Sequence, residues 1–174
     1  MINAKHELTI ERPILKVWDY VEDLQQWSRL FPGCKECEMI DRDNSLWTIK
    51  VGVGGLVRTV LVRVQVEKWS APEQVTFSFT LDSEPVVGHG SYQAVDNGEL
   101  TTVVLEVFVE GSGNMAPMWE AMCRPLLPQL AKTFANALKS EIEHVEQAPA
   151  PCKLCWWQQL WQRLRSLLRR PLHP

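Results

Sequence analysis

The sequence lacks several features that would assign a function directly. It has no run of about 18 consecutive apolar residues, as a membrane-spanning helix needs, and its start, "MINAKHELTIERP", has no apolar signal-peptide core. It contains no nucleophile elbow, phosphate-binding loop or dinucleotide fingerprint, and its four histidines have no metal-ligand spacing. The net charge of −3 does not favour a nucleic-acid partner. We therefore expect a cytoplasmic protein that has no cofactor and is not an enzyme.

The charges that are present divide the chain into two parts. Residues 149–174 carry five basic residues and no acidic one, so they contribute +5 to the total of −3 and leave −8 for residues 1–148. An acidic body with a basic, tryptophan-rich end indicates two parts with different roles. We predict a domain over residues 1–146, a Pro/Ala linker over 147–151 and a separate helix over 152–170.

The body reads as a set of antiparallel strands. Residues 4–11 alternate as a first strand, and about six more follow between Cys34 and Gly111. Within them the apolar side chains recur at every second position, at Val60, Val62, Val64 and Val66 and at Val75, Phe77, Phe79 and Leu81. The Asn97-Gly98 pair is typical of a hairpin turn between the last two strands.

Helices flank these strands. Two short helices are predicted, one starting near Pro13 and one over about 24–31, and a long helix is predicted over about 115–146. Pro125 and Pro128 predict a kink or a broken first turn in the long helix. Because a sheet of this length must cover one face, we expect an α+β fold in which a curved antiparallel sheet wraps around the long C-terminal helix.

Three segments resemble a known family. They are "ELTIERPILKVWDYVEDLQQWSRLFPGC" (7–34), "IKVGVGGLVRTVLVRVQVEKW" (49–69) and, more weakly, "VGHGSYQAV" (87–95). The chain resembles the START-like (SRPBCC) helix-grip superfamily over about residues 4–146 and, within it, the CoxG-like group associated with carbon monoxide dehydrogenase. The resemblance implies an internal hydrophobic pocket and no shared catalytic residue set. Some relatives are cyclases and many are carriers, and CoxG-like relatives are associated with an aerobic molybdenum dehydrogenase and its membrane attachment.

A ligand pocket is predicted between the strands and the long helix. Its candidate lining combines strand aromatics with flexible helix side chains, which suit an apolar ligand of irregular shape: Phe77, Phe79, Tyr92, Phe108, Met115, Met118, Trp119 and Met122. The alternative is that these residues form only a packed core.

Two other groups of residues could carry chemistry. His89 lies between two glycines, and Glu106 interrupts an apolar run, so this pair could supply an acid or base if both side chains faced the pocket. Cys34 and Cys37 repeat the spacing of Cys152 and Cys155, and four thiolates could bind zinc or an iron–sulfur cluster. Nothing in the sequence brings the two cysteine pairs together, and we expect no metal site. Lipidation of Cys152 or Cys155 is a further alternative.

The basic C-terminal segment is amphipathic when it is drawn as a helix. Its apolar side chains fall within roughly 160° of arc. Tryptophans beside arginines suit the headgroup layer of an anionic membrane, where the candidate contacts are Trp156, Trp157, Leu160, Trp161, Leu164, Leu168, Arg163, Arg165, Arg169 and Arg170. Docking on a partner protein or on the chain's own domain are the alternatives.

Together these features predict a carrier for a hydrophobic, lipid- or quinone-like molecule. We expect peripheral attachment to the inner face of the cell membrane, where the protein would serve or recruit a redox enzyme such as a molybdenum-type dehydrogenase. The alternative is a polyketide cyclase- or hydrolase-like enzyme that uses the same pocket.

Overall fold

A computed structural model describes residues 1–53, 56–82 and 84–144. These residues form seven strands, three α-helices and a short 3-10 turn (Gly113–Met115): β1 (Ile2–Ile10), α1 (Ile14–Val21), α2 (Leu24–Leu30), β2 (Cys34–Met39), β3 (Asn44–Val53), β4 (Leu56–Ser70), β5 (Gln74–Leu81), β6 (Val86–Asp96), β7 (Thr101–Gly111) and α3 (Ala116–His144). Residues 1–143 form one compact unit. The predicted linker and tail helix lie outside the described residues, as do Cys152, Cys155 and all ten candidate membrane contacts.

The strands form one antiparallel sheet in the order β1-β7-β6-β5-β4-β3-β2. The Asn97-Gly98 turn joins β6 to β7 as predicted, with Gly98 at a positive φ of 81° and Asp96 paired with Thr101. β1 closes on β7, which leaves β1 and β2 as the two edges. The predicted curved sheet with a long C-terminal helix is therefore confirmed.

The inner face of the sheet is covered by helices. α1 buries Val17, Trp18 and Val21 in the main core, and the indole N–H of Trp27 in α2 donates to the carbonyl oxygen of Val21 at 2.7 Å. Asp23 caps α2 by accepting a hydrogen bond from the amide of Gln25 at 2.9 Å. These contacts place the two short helices over one end of the sheet.

The long helix covers the rest of that face. α3 is one continuous helix through Pro125 and Pro128, so the structure shows no broken turn at these prolines. No helix among the described residues is long and apolar enough to cross a membrane.

Candidate functional site

A cavity of about 190 Å³ lies between the inner face of the sheet and α3. The sheet contributes alternate side chains from its strands: Trp47, Ile49, Val51, Val60, Val62, Val64, Phe77, Phe79, Leu81, Val86, Leu105, Val107 and Val109. Ser91 also borders the cavity, although it has the opposite parity on β6. The helical side contributes Trp27, Phe31, Trp119, Met122, Cys123, Leu126, Leu127, Leu130, Ala131 and Phe134. Such a lining favours an apolar ligand.

One end of the cavity is closed by aromatic rings. Trp27 makes edge contacts with Phe77 and Phe134, at ring-centroid distances of 5.7 and 6.4 Å, and Phe31 makes the same kind of contact with Trp47 at 5.9 Å. These side chains come from both helical and strand elements. The aromatic wall therefore separates the cavity from the packed end of the molecule.

The other end is the mouth. There some of the lining residues are only half-buried, on the strand side Val51, Val60 and Leu81 and on α3 Met122 and Leu126. Other lining residues on this side, Trp119, Val86 and Val109, are buried, as Trp27, Trp47 and Ile49 are at the aromatic end. The half-buried positions therefore mark a limited opening between β3, β4, β5 and the N-terminal half of α3, and we call this opening the mouth.

The indole N–H groups in the lining are already used by the protein. Trp27 donates to the Val21 carbonyl, Trp47 donates to the hydroxyl of Ser45 at 2.9 Å, and Trp119 donates to the carboxylate of Glu84 at 3.2 Å. Ser91 lies at a strand position that faces the outer surface, opposite Thr76 and Glu106. The surface that an apolar ligand would contact inside the cavity therefore has few polar groups that lack a hydrogen-bond partner.

The glycines of β6 allow the phenylalanine rings to lie flat on the strand. A Cβ at Gly88 would overlap the ring of Phe79 and the carbonyl oxygen of Phe108, and one at Gly90 would overlap the ring of Phe77. Larger residues would push both rings into the cavity. This close approach is the structural reason for glycine at these positions.

Four of the eight predicted pocket residues line the cavity: Phe77, Phe79, Trp119 and Met122. Phe108 requires a correction because it lies on the outer face and stacks on His89 at 4.7 Å. Tyr92 faces inward but is buried outside the cavity lining, and Met118 is exposed. The side chain of Met115 is not among those described.

The proposed acid–base pair does not reach the cavity. His89 and Glu106 lie at outer-face positions of β6 and β7, where Glu106 is paired with Ser91. An acid or base acting inside the cavity must therefore be a different residue. The alternative in which His89 and Glu106 act on a ligand in the cavity required both side chains to face it, and their outer-face positions do not meet this condition.

Cys34 and Cys37 are free thiols on β2. A β-bulge between Cys34 and Glu36 places both cysteines against the core, opposite Ile49 and Trp47. Burial, and next the neighbouring Cys37, raise the pKa of the Cys34 thiol. Within the described residues no cluster of three or more His, Cys, Asp or Glu side chains is placed to hold a metal ion.

Sequence comparison gives the family. Residues 1–143 match the family described as "Polyketide cyclase / dehydrase and lipid transport". The chain belongs to this family. A 49-residue stretch is also 33% identical to a Streptomyces cyaneus protein provisionally named a polyketide cyclase, and it covers 28% of this chain and 32% of that protein.

Three solved structures share the fold. A conserved Geobacillus kaustophilus protein has a TM-score of 0.70 at 19% identity, covering 81% of this chain and 95% of that one. A START superfamily protein from Mycobacterium smegmatis has a TM-score of 0.63 at 14% identity, covering 82% and 98%. The Zhui aromatase/cyclase from a Streptomyces species has a TM-score of 0.61 at 18% identity, covering 84% and 96%. At these identities the similarity concerns the fold alone.

These comparisons confirm the broad START-like resemblance and correct one expectation. The expectation that the protein is not an enzyme is wrong, because the family description includes cyclases and dehydrases and the Streptomyces cyaneus relative carries a cyclase name. Enzymatic activity therefore belongs among the functions to be tested. The narrower resemblance to the CoxG-like group stays a prediction.

Proposed function

We propose that this protein binds a hydrophobic small molecule in the cavity between the sheet and α3. The observation that carries the proposal is the cavity's apolar lining, in which the indole N–H groups of Trp27, Trp47 and Trp119 are already bonded within the protein. An engineered apolar cavity of about 150 Å³ stays dry and binds benzene, so a volume of about 190 Å³ suits a small ring system or part of a longer chain. A longer ligand would extend through the mouth.

Binding is tested with the neutral apolar fluorophore N-phenyl-1-naphthylamine and the full-length protein. We expect saturable fluorescence enhancement that is lost in Leu130→Trp, because the larger indole occupies the cavity. The matched control is Leu15→Trp, which adds the same ring on the exposed face of α1. Equal binding by the two variants would exclude this cavity as the site. Mass spectrometry of an organic extract of the purified protein then identifies any molecule that co-purifies.

The C-terminal segment supports a second part of the proposal, attachment to an anionic membrane surface. Each basic residue near such a surface contributes roughly 1 kcal/mol, and interfacial tryptophans add apolar burial. We expect full-length protein to co-sediment with vesicles that contain phosphatidylserine, and Trp156→Ala/Trp157→Ala/Trp161→Ala to remain largely in the supernatant. The same sedimentation by both proteins contradicts membrane attachment through these side chains.

The role beside a redox enzyme rests on the resemblance to the CoxG-like group. In this form of the proposal the chain serves or recruits a molybdenum-type dehydrogenase, and the cavity carries a quinone-like molecule. The extraction experiment tests the ligand directly, since a quinone has a characteristic mass and redox-dependent absorbance. An extract that contains a different apolar molecule argues against the quinone.

Cyclase-type catalysis is the second candidate function, and the family description favours it. Among the described residues, Cys123 is the one ionisable side chain in the cavity lining, and the Arg58–Glu84 ion pair lies next to it through the hydrogen bond of Glu84 with the lining residue Trp119. Burial raises the pKa of the Cys123 thiol, so this side chain is neutral near pH 7.

A small apolar diketone that undergoes intramolecular aldol closure is a suitable probe of cyclase-type activity. Enone formation that is faster than in buffer, and slower again in Leu130→Trp, supports this function, whereas equal rates contradict it.

A further inference from the structure

Arg58 interrupts the apolar side of β4. The side chains of Val60, Val62 and Val64 point to the inner face and line the cavity, and Arg58 has the same parity on the strand. It is paired across the ladder with Val51, which also lines the cavity. Arg58 is therefore adjacent to two lining residues of the mouth, Val51 and Val60, although it is not itself part of the lining, and its side chain is 45% exposed.

The guanidinium is held in place by a three-residue network. Nη1 of Arg58 donates to Oε1 of Glu84 at 2.9 Å, and the indole N–H of Trp119 donates to Oε2 of the same carboxylate at 3.2 Å. The network joins β4, the turn after β5 and the start of α3. Both carboxylate oxygens of Glu84 are thus occupied, whereas Nε and Nη2 of Arg58 have no acceptor among the described residues.

This arrangement separates the cavity into two chemical zones. An apolar ligand body finds hydrocarbon and aromatic side chains inside, where the indole donors are already bonded. A buried oxygen acceptor without a partner costs free energy, so a polar end of the ligand is disfavoured in the interior. An oxygen at the polar end of the ligand could instead accept a hydrogen bond from Nε or Nη2 of Arg58 at the mouth.

We propose that Arg58, oriented by Glu84, is a head-group subsite that selects an apolar molecule ending in a carboxylate or carbonyl oxygen. This inference rests on the proposed ligand binding and names the class of ligand. A carboxylate binds more tightly than a neutral carbonyl because its hydrogen bonds to a guanidinium are charge-assisted. The order of affinity is a fatty acid first, its methyl ester second and the corresponding alkane third.

The alternative role for the ion pair is to stabilise the fold. Exposed ion pairs contribute little to stability, and Arg58 is nearly half exposed. The chain offers a matched control on the same strand, since Arg63 forms an ion pair with Asp82 at 3.4 Å but lies at an outer-face position. Arg58→Gln and Arg63→Gln remove the same charge from opposite faces of β4.

The experiment measures displacement of N-phenyl-1-naphthylamine from full-length protein by octanoic acid, methyl octanoate and octane at constant pH and ionic strength. In the wild type and in Arg63→Gln we expect octanoic acid to displace the probe best. In Arg58→Gln its affinity falls roughly tenfold or more, as expected for loss of a hydrogen bond to a charged group, while octane is unaffected. The ester shows a smaller loss.

The outcomes separate this inference from the binding proposal itself. If the wild type does not bind the fluorophore or any competitor, hydrophobic binding in the cavity fails. If the fluorophore binds and Leu130→Trp abolishes binding, but Arg58→Gln weakens all three competitors equally or none, the cavity is a binding site and the head-group subsite is refuted. An equal loss of octanoic acid in Arg58→Gln and Arg63→Gln also refutes it, because the effect is then one of net charge.

Discussion

The two halves of α3 face different surroundings. The C-terminal half buries Ala135, Leu138 and Ile142, at 0%, 1% and 5% exposure, in the core that α1 and α2 complete. The N-terminal half faces the cavity with side chains that are mostly half-buried, such as Met122, Leu126 and Leu127. One helix therefore stabilises the fold at one end and leaves space for a ligand at the other.

The difference follows from what else covers the sheet. At the packed end, Trp18 of α1 contacts Trp69 edge-on at 6.1 Å, and small side chains of α3 such as Ala135 allow close packing. Beyond the aromatic wall, α3 is the only helix among the described residues that lines the sheet. Open space at that end is thus a consequence of topology, and its apolar lining makes it usable for binding.

The largest expected effect comes from making the same substitution in both halves. Leu138→Ala should lower the free energy of unfolding by about 3 kcal/mol, because it leaves a void in close-packed surroundings. Leu127→Ala should cost about 1 kcal/mol or less, since the side chain is half-buried beside existing space. Urea denaturation followed by circular dichroism measures both values. Similar losses would contradict the division of α3 into a packed and an open half.

The glycines under the aromatic rings give the next effect. Gly88→Ala should destabilise the protein by about 1–3 kcal/mol, because the new methyl group meets the carbonyl oxygen of Phe108 as well as the ring of Phe79. Gly90→Ala should cost less, since the nearest obstacle is the far end of the Phe77 side chain.

Both glycine variants should also bind N-phenyl-1-naphthylamine more weakly than the wild type, because the displaced rings enter the cavity. Thermal denaturation together with fluorophore titration separates the two effects. Unchanged binding in both variants would show that the rings move elsewhere.

Strand alternation predicted much of the sheet and part of the site. It placed Phe77 and Phe79 correctly on the inner face, because their strand has apolar residues at one parity and hydroxyl residues at the other. It failed for Phe108, since β7 carries apolar side chains at both parities. Alternation shows which face of the sheet a side chain is on, but not whether it lies at the packed end or beside the cavity. It therefore did not distinguish Tyr92, which is buried at the packed end, from the residues that line the cavity.

Two other residues of the site lie in recognisable sequence patterns. Trp47 alternates with Ile49 and Val51, a pattern of inward-facing side chains. Arg58 shares the parity of the valines on β4, but a basic residue in an apolar run reads naturally as outward-facing. Its partner Glu84 lies in a turn, and sequence alone does not show that this turn folds back to β4 and α3.

A smaller effect is expected at Tyr92 in the packed end. Its hydroxyl group is buried without a hydrogen-bond partner among the described residues, and the residue is 1% exposed. Tyr92→Phe should therefore leave stability unchanged or raise it by about 1 kcal/mol, because an unsatisfied polar group is removed. Chemical denaturation at pH 7 measures the change, and a loss above about 1 kcal/mol would indicate that the hydroxyl group has a hydrogen-bond partner after all.

The same hydroxyl predicts a dependence on alkaline pH. Burial raises the pKa of Tyr92 above its usual value near 10, so ionisation favours the unfolded chain. This contribution to stability is fully present below about pH 10 and is lost as the pH rises towards the folded-state pKa. We expect the difference in stability between wild type and Tyr92→Phe to widen between about pH 9 and pH 11. A constant difference across that range contradicts this assignment.

The smallest effect on stability is expected at the mouth. Arg58→Gln and Arg63→Gln should each change the free energy of unfolding by less than about 1 kcal/mol, because both ion pairs are partly exposed and screened by salt. Denaturation at low and high salt measures these changes, and octanoic acid binding is measured on the same samples. If Arg58→Gln alone loses binding at unchanged stability, the charge at the mouth serves recognition, whereas the buried side chains of the packed end serve folding. A large loss of stability in Arg58→Gln would instead show that the network with Glu84 and Trp119 stabilises the fold. The mouth would then contribute to folding as the packed end does, which contradicts the proposed difference between the two ends of α3.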